Sequence, residues 1–96
     1  MAAYWINTFT QIRDTERLEE YVRLAGPAVR AGGGMFLARG NPQHALEGAS
    51  VLRTTLIEFP SVQAALETYH SEGYQEALRA LGDGADREIR IIQALD

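Results

Sequence analysis

The spacing of apolar and polar residues changes period several times along this chain, and each change marks an element. From Ala3 to Gln11 the pattern alternates. Trp5, Asn7 and Phe9 point to one side and Tyr4, Ile6, Thr8 and Thr10 to the other. Period two with aromatic and β-branched residues predicts a first strand. Asp14 stands where an N-cap belongs, with Glu16 in the first turn. Leu18, Tyr21, Val22, Ala25 and Val29 then recur at helical spacing, which predicts a helix over Thr15 to Arg30. Pro27 lies inside it and, lacking an N–H, is expected to kink or restart it. Gly32-Gly33-Gly34 ends the helix, the first or second glycine suiting the left-handed C′ position. Met35 to Gly40 reads as a second strand, Asn41 to Gly48 as a loop and Val51 to Phe59 as a third strand that Pro60 stops.

Ser61 is a natural cap for a second apolar stripe of Val62, Ala65, Leu66, Tyr69, Ala77, Leu78 and Leu81. The piece His70-Ser71-Glu72-Gly73 interrupts it, with Ser71 as a fresh cap, so two short helices or one bent helix are expected. Gly82 and Gly84 close the stripe. Glu88 to Leu95 reads as a fourth strand, with Ile89, Ile91 and Leu95 on one side. The order βαββαβ predicts an α+β, ferredoxin-like fold: one four-stranded antiparallel sheet with its helices on one face, in a single domain over residues 1–96.

The face away from the helices should then turn polar, because it meets water. It does so poorly: Tyr4 and Ile6, Leu52 and Leu56, and Ile92 and Ala94 lie opposite the core set of their strands. An apolar surface of that extent marks an interface, so a homodimer packed through the sheet faces about a twofold axis is expected.

Composition narrows the function classes. The 96 residues carry a net charge of −4, with 46% apolar and 23% charged residues. No Lys/Arg run provides the basic face that nucleic acid requires. No cysteine is present, which removes disulfides, thiolate metal sites and cysteine nucleophiles and fits a cytoplasmic location. MAAYWINTFT has neither a basic start nor a long apolar run, and no segment approaches the ~20 apolar residues of a membrane span. His44 and His70 are far apart and have no carboxylate cluster beside them, so no metal is expected. The triple glycine leads into a strand without a following Gly-Lys-Ser/Thr, so it is not a phosphate loop.

The residues Gly33-Gly34-Met35-Phe36-Leu37-Ala38-Arg39-Gly40, Leu46-Glu47-Gly48, Arg53, Ile57-Glu58-Phe59-Pro60-Ser61, Ala64-Ala65, Tyr69, Ser71 and Tyr74-Gln75 run in order across nearly the whole chain. In this they resemble the domain-of-unknown-function 1330 family of the dimeric α+β barrel superfamily. The resemblance implies the ferredoxin-like fold and a dimer whose two sheets form a barrel. It implies no established activity. Related superfamily members include cofactor-free monooxygenases, a lactone isomerase and haem enzymes, and fold does not carry function across such a group.

Arg39 raises the sharpest question, since a strand that belongs in a core ends on a guanidinium. One reading pairs it with Glu58 or Glu47 at the sheet edge. The other has its planar fork hold a ligand carboxylate or enolate, with Glu58 as general base. Arg53 and Glu58, five apart in a strand, point to opposite faces. His70 and Tyr74 flank the helix break and, four apart, would share a side of a continuous helix, at the mouth of a pocket. Arg39, Arg53, His70 and Tyr74 are thus candidate substrate-binding residues, and Arg39 and Glu58 candidate catalytic ones. The expected function is binding of a small organic acid or carbonyl compound, with cofactor-free proton transfer, isomerisation or a related oxygenation if it is an enzyme. The alternative is a non-catalytic dimeric binding or structural module.

Overall fold

The computed structural model describes residues 1–95. Its elements are β1 (Ala3–Ile12), α1 (Thr15–Ala31), β2 (Met35–Gly40), β3 (Thr54–Phe59), α2 (Val62–Tyr69), α3 (Glu72–Leu81) and β4 (Ala85–Gln93). The strands form one antiparallel sheet in the order β2-β3-β1-β4. The expected ferredoxin-like arrangement is therefore the observed one, with α1, α2 and α3 against one face. Trp5, Phe9, Phe59, Val29 and Tyr74 are the largest fully buried side chains. They lock the odd-numbered face of β1 and β3 to the helices.

Local chemistry explains the boundaries. The Asp14 carboxylate accepts the Arg17 N–H and starts α1, and the helix runs through Pro27 without restarting. At its end Gly33 has φ +93°, which favours glycine. Gly34 N–H donates to the Val29 carbonyl and Gly33 N–H to that of Arg30, the two bonds of a Schellman cap. The flanking glycines are there for room. A Cβ on Gly32 would lie 1.8 Å from Thr68 Oγ1, and one on Gly34 2.6 Å from Val29 Cγ1 and 2.8 Å from Phe59 Cζ. Ser61 caps α2 and Ser71 caps α3, so the interrupted stripe is two helices.

Two strands differ from expectation. β3 begins at Thr54 rather than Val51, because the Ser50 hydroxyl donates to the Phe9 carbonyl (2.8 Å) and accepts the Leu52 N–H (3.1 Å). A side chain there replaces the ladder. β4 spans Ala85–Gln93 rather than Glu88–Leu95. Its start is drawn in by Arg13, which grips Asp86 with two bonds of 2.9 and 2.7 Å and donates to the Asp83 carbonyl. Leu95 lies beyond the strand and is 97% exposed. No helix of the described residues is long and apolar enough to cross a membrane.

Candidate functional site

A chain that alternates without interruption would put Phe36 and Arg39 on opposite faces of β2, since they are three apart. They are on the same face. Phe36 pairs with Ile57, Ala38 with Leu56 and Arg39 with Thr55, and the register shifts between Phe36 and Ala38. Leu37 is therefore an extra residue, a β-bulge that re-aims the side chains beyond it. Ile57 and Thr55 are buried under the helices, so the bulge turns Arg39 toward the helix side. There its guanidinium lies 5.1 Å from the centre of the Phe36 ring, with Arg30 of α1 at 5.4 Å from the same ring.

Between α1 and this face of the sheet lies a cavity of about 40 Å³, lined by residues that include Trp5, Asn7, Phe36, Tyr74, Arg39 and Arg53. A wider cleft bounded by Val22, Arg39, Gly40, Asn41 and Arg53 opens beside it and shares both arginines. The site is thus a narrow apolar chamber with a cationic mouth. Neither Arg39 nor Arg53 forms an ion pair among the described residues, although Arg13, Arg17, Arg23, Arg79 and Arg90 each do. Burial, and next to it the like charge of Arg39, hold the half-buried Arg53 guanidinium below its ordinary value. Two guanidiniums of like charge, with no described carboxylate between them, make a standing demand for an anion.

The chamber wall is apolar except at defined points. Trp5 Nε1 and Asn7 Oδ1 are buried without a hydrogen-bond partner among the described residues. The hydroxyls of Tyr21 and Tyr74 bond each other at 2.7 Å, which uses one of their two O–H hydrogens and leaves the other. Burial first, then the neighbouring Tyr21, push the Tyr74 phenol well above its ordinary value, so it is a neutral donor or acceptor at physiological pH. Arg87 of β4 stacks 4.4 Å from the centre of the Tyr21 ring and 5.9 Å from that of Phe9. Among the described residues, no Asp, Glu, His, Lys or Cys lines the chamber. It offers positive charge and hydrogen-bond donors but no group with the basicity to take a proton at neutral pH.

Of the residues singled out from sequence, Arg39, Arg53 and Tyr74 come together here. Glu58 does not. It pairs in register with Met35 and Tyr4, on the opposite face of the sheet, and makes no ion pair with Arg39 among the described residues. The expected Arg39–Glu58 or Arg39–Glu47 pair is not formed, and Glu58 is not placed to act beside Arg39. The sheet lies between them, because alternation sends residue 58 outward and the bulge sends residue 39 inward. His70 also stands apart. It is the exposed C-cap residue of α2 and faces a separate groove with Leu66, Tyr69, Arg87, Ile89 and Ile91. The helix break at Ser71 ends the helical relation that would have set it beside Tyr74. His44 is an exposed loop residue, and no three His, Cys, Asp or Glu side chains of the described residues cluster as metal ligands.

The sequence reads Trp5 as core or as the wall of an apolar cavity, and it assigns Asn7, Tyr21 and Arg87 to no site. Asn7 carried a signal, an amide between Trp5 and Phe9 on the core face of a strand, where a polar residue needs a reason. Arg87 fell before the expected start of its strand, so nothing assigned it to a face.

Known proteins resemble the chain in fold across its whole length. A family model described as "Domain of unknown function (DUF1330)" matches residues 2–95. A protein of unknown function from Rhodopseudomonas palustris is 21% identical, with a TM-score of 0.79 over 99% of this chain and 83% of that one. A dimeric ferredoxin-like protein of unknown function from Jannaschia sp. CCS1 is 12% identical, with a TM-score of 0.77 over 98% of this chain and 100% of that one. The cofactor-independent oxygenase SnoaB from Streptomyces nogalater is 13% identical, with a TM-score of 0.70 over 99% of this chain and 94% of that one. No curated protein matches the sequence.

Proposed function

For this chain, which belongs to the DUF1330 family, we propose a role in binding a small organic acid at the mouth of the chamber between α1 and the sheet. The observation that carries this reading is the pair Arg39 and Arg53, two adjacent guanidiniums at the entrance of an apolar cavity, with no carboxylate among the described residues to neutralise them. Their forked donors match a carboxylate in geometry and charge. The chamber favours a binding role over proton transfer, because it lacks a base and Glu58 faces away from it. Any chemistry here would act through stabilising negative charge on the ligand, using the arginines and the neutral N–H and O–H donors. The oxygenase fold of SnoaB is compatible with that restriction but adds nothing on substrate.

The outer sheet face supports a homodimer. Met35, Leu37 and Ile92 are exposed there beside half-buried Tyr4, Ile6 and Leu56. The Jannaschia protein of the same fold is described as dimeric.

Isothermal titration with short carboxylates tests the acid-binding reading. Wild type is expected to bind, and Arg39→Gln and Arg53→Gln each to weaken binding about tenfold or more, since a charge-assisted bond contributes about 1.5–3 kcal/mol. Unchanged affinity in both variants removes the reading.

A further inference from the structure

Resting on that reading, the far end of the chamber narrows the ligand class. Trp5 and Asn7 lie two apart on the inward face of β1 and are almost wholly buried, at 1% and 4% exposed. Both line the chamber, and Trp5 Nε1 and Asn7 Oδ1 have no partner among the described residues. An orphaned donor and an orphaned acceptor in one apolar cavity are costly unless something polar meets them. The Trp5 N–H and the spare Tyr21–Tyr74 hydroxyl hydrogen are donors there, and no described carboxylate lines the chamber to hold an ammonium group. Oxygen suits such a place better than a charged amine.

Register sets the length. Arg39 is opposite Thr55, and Thr55 opposite Asn7, so Arg39 and Asn7 are two strands apart, about 10 Å between Cα atoms. The chamber of about 40 Å³ admits about three water-sized centres at 10–15 Å³ each.

We propose that the ligand is a short oxo- or hydroxycarboxylate. Its carboxylate meets Arg39 and Arg53, and its second oxygen lies against the Asn7 amide, with the Trp5 N–H as further donor. A ligand hydroxyl can donate to Asn7 Oδ1 and accept the Trp5 N–H, a keto oxygen can accept the Trp5 N–H, and a methyl group can do neither.

Titration calorimetry with butanoate, 3-hydroxybutanoate and 3-oxobutanoate tests this on wild type, Asn7→Leu, Trp5→Phe and Arg39→Gln. Neither Asn7→Leu nor Trp5→Phe breaks a side-chain hydrogen bond, and each keeps the bulk of the core. Wild type is expected to bind at least one oxygenated acid about tenfold or more tighter than butanoate. Asn7→Leu and Trp5→Phe are expected to lose that preference while still binding butanoate, and Arg39→Gln to weaken all three acids alike. Equal affinities in wild type, or a preference that survives in both Asn7→Leu and Trp5→Phe, overturn the assignment of the second oxygen. The acid-binding reading then stands on the Arg39→Gln response alone. Absence of binding by all three acids in wild type overturns both.

Discussion

Arg39 is exposed and pairs with no carboxylate among the described residues, and it rests against the Phe36 ring. Its removal therefore has a small structural cost. Arg39→Ala is expected to lower unfolding stability by about 0.5–1 kcal/mol, the scale of an exposed cation–π contact. Urea titration giving a loss of about 3–5 kcal/mol would instead reveal a buried ion pair. Tyr74 is the opposite case, fully buried and bonded to Tyr21. Tyr74→Phe leaves the Tyr21 hydroxyl unpartnered and should cost about 1–3 kcal/mol at neutral pH. The alkaline limb adds a sign test. Burial raises the folded-state pKa of Tyr74 above its ordinary value of 10.0. The unfolded chain therefore releases this proton first, and the stabilising contribution is complete below pH 10 and falls as pH rises past it. Thermal melts at pH 8 and about pH 11 should show a smaller alkaline loss in Tyr74→Phe than in wild type.

At the scale of the element, β2 determines the site. Without the bulge, Arg39 would pair with Thr54 and face outward. With it, Arg39 pairs with Thr55 and faces the chamber. Deleting Leu37 regularises the strand and leaves Arg39 opposite Thr55, so carboxylate affinity should stay within about threefold. Inserting one alanine between Ala38 and Arg39 turns the guanidinium to the outer face. Affinity is then expected to fall at least as far as in Arg39→Gln, as measured by the same titrations. The composition of β2 reads plainly as a strand and its ends are where periodicity puts them. The bulge is not legible, because it shows only in the register against β3. The break before α3 is legible in Ser71, but its consequence, that His70 and Tyr74 part company, depends on where the two helices then pack.

Over the whole molecule, the arginines without a carboxylate partner and the exposed apolar side chains are divided between the two sheet faces. The nine basic residues are all arginine in a chain of net charge −4. Those without a carboxylate partner among the described residues, Arg30, Arg39, Arg53 and Arg87, belong to the helix side. The outer side is apolar around Met35, Leu56 and Ile92. If that side joins two copies, light scattering at micromolar concentration should give twice the 10.6 kDa chain mass. Ile92→Lys, which puts a charge in the proposed contact, should shift the mass toward the monomer without unfolding the chain.

Local rules are enough to read the element order, the Asp14, Ser61 and Ser71 caps, the cap glycines after α1 and the core face of β1, because each depends on spacing or on neighbours within a turn. The apolar outer face is legible for the same reason. Whether Arg39 faces in or out, that Glu58 is screened from it by the sheet, and that Trp5 and Asn7 are left without partners were decided by tertiary structure. These depend on one extra residue in a strand and on which helix covers which row. Cross-strand register and packing are non-local, and no window of the sequence contains them.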